Sequence, residues 1–142
     1  MSETIHMRRL VRAPRPRVFE AWTRAEHITR WWGPGEVTCP HAEVDLSVGG
    51  RYRIDNREPD GTIITITGTY EEIEEPNRLV YSWFLGETPD KDSGTRVTVE
   101  FNEHDEGTEV VVTHERLPDI PTRDMHAQGW AGCLDGLVAY FD

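Results

Sequence analysis

Cysteine is scarce in this sequence. Cys39 and Cys133 stand far apart, without the paired spacing of a zinc site or a redox motif, and a reduced, cytoplasmic setting fits them. Long apolar runs are missing too: nothing approaches the ~18 residues that cross a membrane. Residues Met1 to His6 hold no basic segment leading into an apolar stretch, so no secretory signal is expected. Basic residues are outnumbered 15 to 26, for a net charge of −11. Such a surface repels phosphate backbones and anionic lipid, which argues against nucleic acid and membrane insertion and favours a role in solubility. The six histidines are scattered, with no His-x-x-x-His and no carboxylate pair at ligand spacing inside one element. Glycine-rich phosphate loops and nucleophile elbows are absent as well. Neither a metal nor a cofactor is expected.

What is present is a chain of 142 residues, the usual size of one domain, free of repeats, low-complexity tracts and linkers. One continuous domain over residues 1–142 is expected. Five tryptophans and four phenylalanines offer large surfaces for burial. Period-2 alternation predicts a first strand over 5–12, with Ile5, Met7 and Val11 on one side. Pro14 and Pro16 stop it, and a short helix is expected from near Arg15, turning Val18, Phe19 and Trp22 inward. A second short helix over 25–32 presents Ile28, Trp31 and Trp32 and ends at Gly33-Pro34.

The middle of the chain reads as a meander of about six strands. Over 42–48, Ala42, Val44, Leu46 and Val48 alternate with polar residues, Glu43 and Asp45 among them, which are read as solvated. Gly49-Gly50 turns the chain into Tyr52 and Ile54, and Asp60-Gly61 turns it again. Residues 62–74 place Ile64, Ile66 and Tyr70 on one face. After Pro76-Asn77, the inward set is Leu79, Tyr81, Trp83 and Leu85. A loop over 87–93 follows, then Val97, Val99 and Phe101, a turn at Glu106-Gly107, and finally Val110, Val112 and His114. Such a curved antiparallel sheet has one face to bury.

The C-terminal segment is the expected cover. Thr122 is the expected N-cap, and about twenty residues of helix would reach ~30 Å. At 100° per residue, His126, Trp130, Cys133, Leu134, Leu137 and Phe141 share one face. Gly129, Gly132 and Gly136 each cost a helix interior roughly 1 kcal/mol relative to alanine, so they imply close approach of the sheet, a ligand or a partner. A homodimer through the glycine-bearing edge is one such possibility.

Blocks along the chain are similar to those of a known family. They are Ala13-Pro14 with Val18-Phe19-Glu20-Ala21-Trp22; Glu26-His27-Ile28 with Arg30-Trp31-Trp32-Gly33-Pro34; Glu43-Val44-Asp45-Leu46 with Gly49-Gly50-Arg51-Tyr52; Pro76 to Trp83; Val112-Thr113-His114-Glu115; and His126, Gly129-Trp130, Cys133-Leu134 and Leu137. Their order resembles the activator of heat-shock protein 90 ATPase homologue family, in the START-like (SRPBCC) superfamily. The resemblance implies an α+β helix-grip fold: a curved antiparallel sheet of six or seven strands, two short N-terminal helices, and a long C-terminal helix enclosing a cavity. It also implies binding of lipids, sterols or polyketide-like molecules, with some members acting as cyclases. Co-chaperones of the family carry a further N-terminal domain that engages the chaperone. This chain reads as the other domain alone, so a chaperone partner is not expected.

Three functional readings follow. The first is a non-catalytic site for a small hydrophobic molecule, lined by Trp31, Tyr52, Ile66, Tyr81, Trp83, Val99, His114, His126, Trp130, Cys133 and Leu134. The second is a cyclase or dehydratase using His114, Tyr81 or His126 as acid–base groups, which requires two of them to converge on open volume. The third is a stand-alone protein-interaction domain related to the chaperone ATPase activators, with an exposed apolar or strongly charged patch outside the cavity.

Overall fold

A computed structural model describes residues 2–33, 36–86 and 94–142. The expected loop over 87–93, and Pro34 of the expected helix stop, lie outside these residues. The described elements run β1 (Glu3–Val11), α1 (Arg15–Thr23), α2 (Ala25–Trp31), β2 (Thr38–Val44), β3 (Arg51–Arg57), β4 (Ile63–Glu74), β5 (Arg78–Leu85), β6 (Thr95–His104), β7 (Gly107–Leu117) and α3 (Ile120–Tyr140). All seven strands belong to one antiparallel sheet of order β1-β7-β6-β5-β4-β3-β2. From β2 to β7 it is a plain meander, and β1 closes the far side by pairing with β7. This is the expected α+β helix-grip architecture.

The alternating strands bury the expected face. Leu79, Tyr81 and Trp83 of β5, Val97, Val99 and Phe101 of β6, and Val110, Val112 and His114 of β7 are all buried. Helix α1 begins with prolines on either side of Arg15, where a missing backbone N–H costs nothing, and buries Val18, Phe19 and Trp22. Helix α2 packs over β2, while α3 lies against β1, β7 and α2.

Two expectations are corrected. The strand expected over 42–48 is instead β2, ending at Val44. The backbone then closes on itself: Ser47 N donates to Asp45 O at 2.9 Å and Gly50 N to Ser47 O at 2.8 Å. These local bonds take the chain off the ladder, so Leu46 and Val48 are exposed although the alternation runs through them. A Cβ on Gly50 would meet the carbonyl oxygen of Asp45, so the tightness of the turn requires glycine there.

The second correction concerns the start of α3. Asp119, not Thr122, is the N-cap, and its Oδ1 accepts from Thr122 N at 2.8 Å. Pro121 sits inside the first turn, where a helix tolerates proline, so the helix begins before it rather than after. Hydrogen bonding from the Thr122 side chain, and then from its backbone N–H, holds the Asp119 carboxyl below its usual pKa.

Candidate functional site

The inward face of α3 meets the sheet through aromatic rings. Trp130 stacks on Trp22 at 6.1 Å between centroids and lies 5.3 Å from Trp83 and 5.6 Å from Trp32. Trp31 lies 5.0 Å from Trp22 and 5.3 Å from Trp32. All five tryptophans thus form one cluster under the helix. They fill it: the enclosed void bounded by Trp22, Ile28, Trp32, Val44, Tyr52, Ile54, Tyr70, Tyr81 and Trp83 holds about 10 Å³. That is room for roughly one water at most.

A larger opening, a groove of about 500 Å³, lies beside this cluster. One wall is Asn56, Ile64, Ile66, Trp83 and Leu85 from β3, β4 and β5, with Glu58 just past the end of β3. The other is α3 from Met125 to Cys133, with Trp32 and Val37 closing the end near α2. The volume lies within the range of small-molecule sites, and the lining is mostly apolar. Ile64, Leu85 and Met125 are exposed apolar side chains on this lining.

The eleven residues expected at a ligand site divide. Ile66, Trp83, His126, Trp130 and Cys133 line the groove. Tyr52 and Tyr81 line only the small void. Trp31, Val99, His114 and Leu134 are buried in the packed interior. Glu58, Asn56, Ile64, Leu85, Met125, Gln128 and Gly129 line the groove without having been singled out. A signal existed for Ile64, which shares a predicted face with Ile66, and for two more. Leu85 extends an inward-facing series beyond the reach of the helix, and Gly129 was already in need of an explanation.

Two of the three helix glycines separate on geometry. A Cβ on Gly129 meets nothing within 4 Å, and Gly129 lines the groove. A Cβ on Gly136 would come 2.6 Å from the carbonyl oxygen of Trp31. Gly136 therefore lets α3 approach α2, whereas Gly129 leaves space.

His114 is fully buried and fully engaged. Its Nδ1 accepts from Trp130 Nε1 at 3.0 Å. That places the ring proton on Nε2, which lies 2.6 Å from Thr95 Oγ1. Thr95 Oγ1 in turn donates to the backbone oxygen of Trp83 at 3.3 Å. Burial, with the nearby His126, lowers the His114 pKa from 6.5 to about 3, so the ring is neutral in ordinary conditions. Tyr81 Oη accepts from Trp22 Nε1 at 3.4 Å, and burial raises its pKa. Neither group has a place on the groove lining.

His126 differs. Its Nδ1 donates to the backbone oxygen of Thr122 at 2.9 Å, leaving Nε2 as the ring's second polar atom, and the residue lines the groove. Of the three acid–base candidates, one reaches open volume, and the proton-transfer reading needs two. Cys133 also lines the groove, but burial pushes its thiol up to about 12 against a weaker lowering by the backbone of Gly33. Burial likewise raises Cys39 to about 11. Both thiols are free, and such pKa values make them poor nucleophiles. Among the described residues, no group of three or more His, Cys, Asp or Glu side chains is placed to hold a metal ion.

A family model described as "Activator of Hsp90 ATPase homolog 1-like protein" matches residues 12–142. The crystal structure of a Chromobacterium violaceum protein superposes with a TM-score of 0.84 at 26% identity, over 98% of this chain and 97% of that one. A Rhizobium leguminosarum protein gives 0.79 at 28%, over 99% and 95%. The NMR structure of an AHSA1-like protein from Aeromonas hydrophila gives 0.78 at 28%, over 97% and 91%. No curated protein matches the chain.

Proposed function

Since the chain belongs to the Activator of Hsp90 ATPase homolog 1-like family, whose fold supports ligand binding in general, we propose that it binds a small hydrophobic molecule in the groove between β3–β5 and α3. The observation that carries this reading is the groove itself: about 500 Å³, largely apolar, with Trp83, Trp130 and Ile66 in its wall. The proposed ligand contacts are Trp32, Ile66, Trp83, His126, Trp130 and Cys133. Binding, rather than catalysis, is favoured because His114 and Tyr81 are committed to the interior. We read residues 1–142 as one domain, and two free, buried thiols fit a reducing cytoplasm. Activation of a chaperone, the activity in the family's name, is not part of the proposal.

A thermal-shift screen with uncharged aromatic and lipid-like compounds tests it. A ligand held at 100 times its Kd adds ~2.7 kcal/mol to the folded state, which raises Tm by several degrees in a domain of this size. A panel that includes naphthalene-sized and acyl-chain compounds, none of which moves Tm, would overturn the proposal.

A further inference from the structure

Two of the five tryptophans and Asn56 decide what kind of ligand the groove accepts. Indole N–H groups are donors, and a buried donor without an acceptor is costly. Three tryptophans meet this requirement inside the protein. Trp22 Nε1 donates to Tyr81 Oη, Trp31 Nε1 to Ala21 O at 2.9 Å, and Trp130 Nε1 to His114 Nδ1. The other two do not: Nε1 of Trp32 and Nε1 of Trp83 are buried without a protein partner. These are also the two whose rings both line the groove and border the small void. Their centroids are 6.1 Å apart. On the same lining, Asn56 Oδ1 is a buried acceptor without a partner.

Unpaired polar atoms are uncommon in folded proteins, and three carried by residues of one groove lining need a common reason. Resting on the ligand-binding reading above, we infer that the natural ligand is a neutral, flat apolar molecule whose carbonyl oxygen accepts from the Trp32 and Trp83 indoles and whose hydroxyl donates to Asn56. Neutrality follows from the walls. Glu58 is a formal negative charge on the lining, no Lys or Arg among the described residues lines it, and the chain carries −11. A carboxylate would be repelled there. Flatness follows from the aromatic lining of Trp32, Trp83 and Trp130, which offers ring faces and edges to a conjugated ring system.

The test uses matched probes: 2-ethylnaphthalene, 2-acetylnaphthalene, its 6-hydroxy derivative and 2-naphthoate. Titration of the ¹⁵N-labelled protein follows the five indole N–H signals by NMR, assigned through single Trp→Phe variants. The acetyl probe is expected to bind about tenfold or more tightly than the ethyl probe, because each unpaired buried donor it satisfies is worth that much. The Trp32 and Trp83 indole protons should move downfield with the acetyl probe and not with the ethyl probe. Those of Trp22, Trp31 and Trp130 lack that difference. The 6-hydroxy probe should bind tighter still, and naphthoate weakest.

Equal affinity of the ethyl and acetyl probes, without a differential indole shift, would overturn the polar-head assignment and leave the apolar groove standing. Tightest binding by naphthoate would overturn neutrality. Failure of all four probes to bind would overturn the groove reading and this inference together. The Trp22→Phe, Trp31→Phe and Trp130→Phe spectra fix the Trp32 and Trp83 pair by elimination, so the result does not depend on whether the Trp32→Phe or Trp83→Phe protein folds.

Discussion

At the residue scale, His114 shows how a polar side chain becomes part of an apolar interior. Its two nitrogens are both used, by Trp130 Nε1 and by Thr95 Oγ1, and burial lowers its pKa to about 3. The folded state therefore declines a proton that the unfolded chain accepts below about pH 6.5. Stability from this residue is full above that pH and is lost as pH falls from 6.5 toward 3. The loss attributable to His114 between pH 7 and pH 5 is ~2 kcal/mol. Urea unfolding of wild type and His114→Gln at both pH values measures it. The wild-type protein should lose about that much more than the variant between the two conditions, and equal losses would mean the ring is charged or solvated. His114 was visible in the sequence as an inward residue of β7. Its neutrality was not, because that depends on the indole of a residue on another element.

At the element scale, α3 resolves the question its glycines pose. Gly136→Ala should destabilise the protein by ~1–3 kcal/mol, since the new methyl meets the Trp31 backbone and one of two packed helices must move. Gly129→Ala should stabilise it by up to ~1 kcal/mol, the gain in helix propensity with nothing to strike. Equilibrium denaturation of the two variants checks both signs. Two glycines seven residues apart on one helix thus have opposite predicted effects. The length and inward face of α3 were legible from periodicity, because a covering helix must match the width of the sheet it covers. The end of β2 was not. Alternation in Leu46 and Val48 mimics a strand, while the turn bonds that end the ladder belong to the backbone of residues 45–50. The start of α3 was misplaced by three residues, since Asp119 and Thr122 are both competent caps in sequence and only the backbone selects between them.

At the scale of the whole molecule, the sheet and helix form the expected grip, yet the space under the grip is mostly filled. Strand alternation and helical periodicity identified the walls, with Tyr52, Tyr81, Val99 and Leu134 all buried on the inward side. It could not say how completely five tryptophans would occupy the volume between them, which depends on rotamers and sheet curvature. The open volume lies instead where the inward faces of β4 and β5 run past the helix, at Ile64 and Leu85. The most direct measurement is fluorescence titration with N-phenyl-1-naphthylamine, an uncharged probe that brightens in apolar surroundings, on wild type and on Gly129→Trp. The indole introduced at the open position of Gly129 should fill the groove. The wild-type protein is predicted to show saturable binding at one site. The variant is predicted to lose at least tenfold in affinity while its Tm changes little. Equal binding by both proteins would place the site elsewhere and contradict the account.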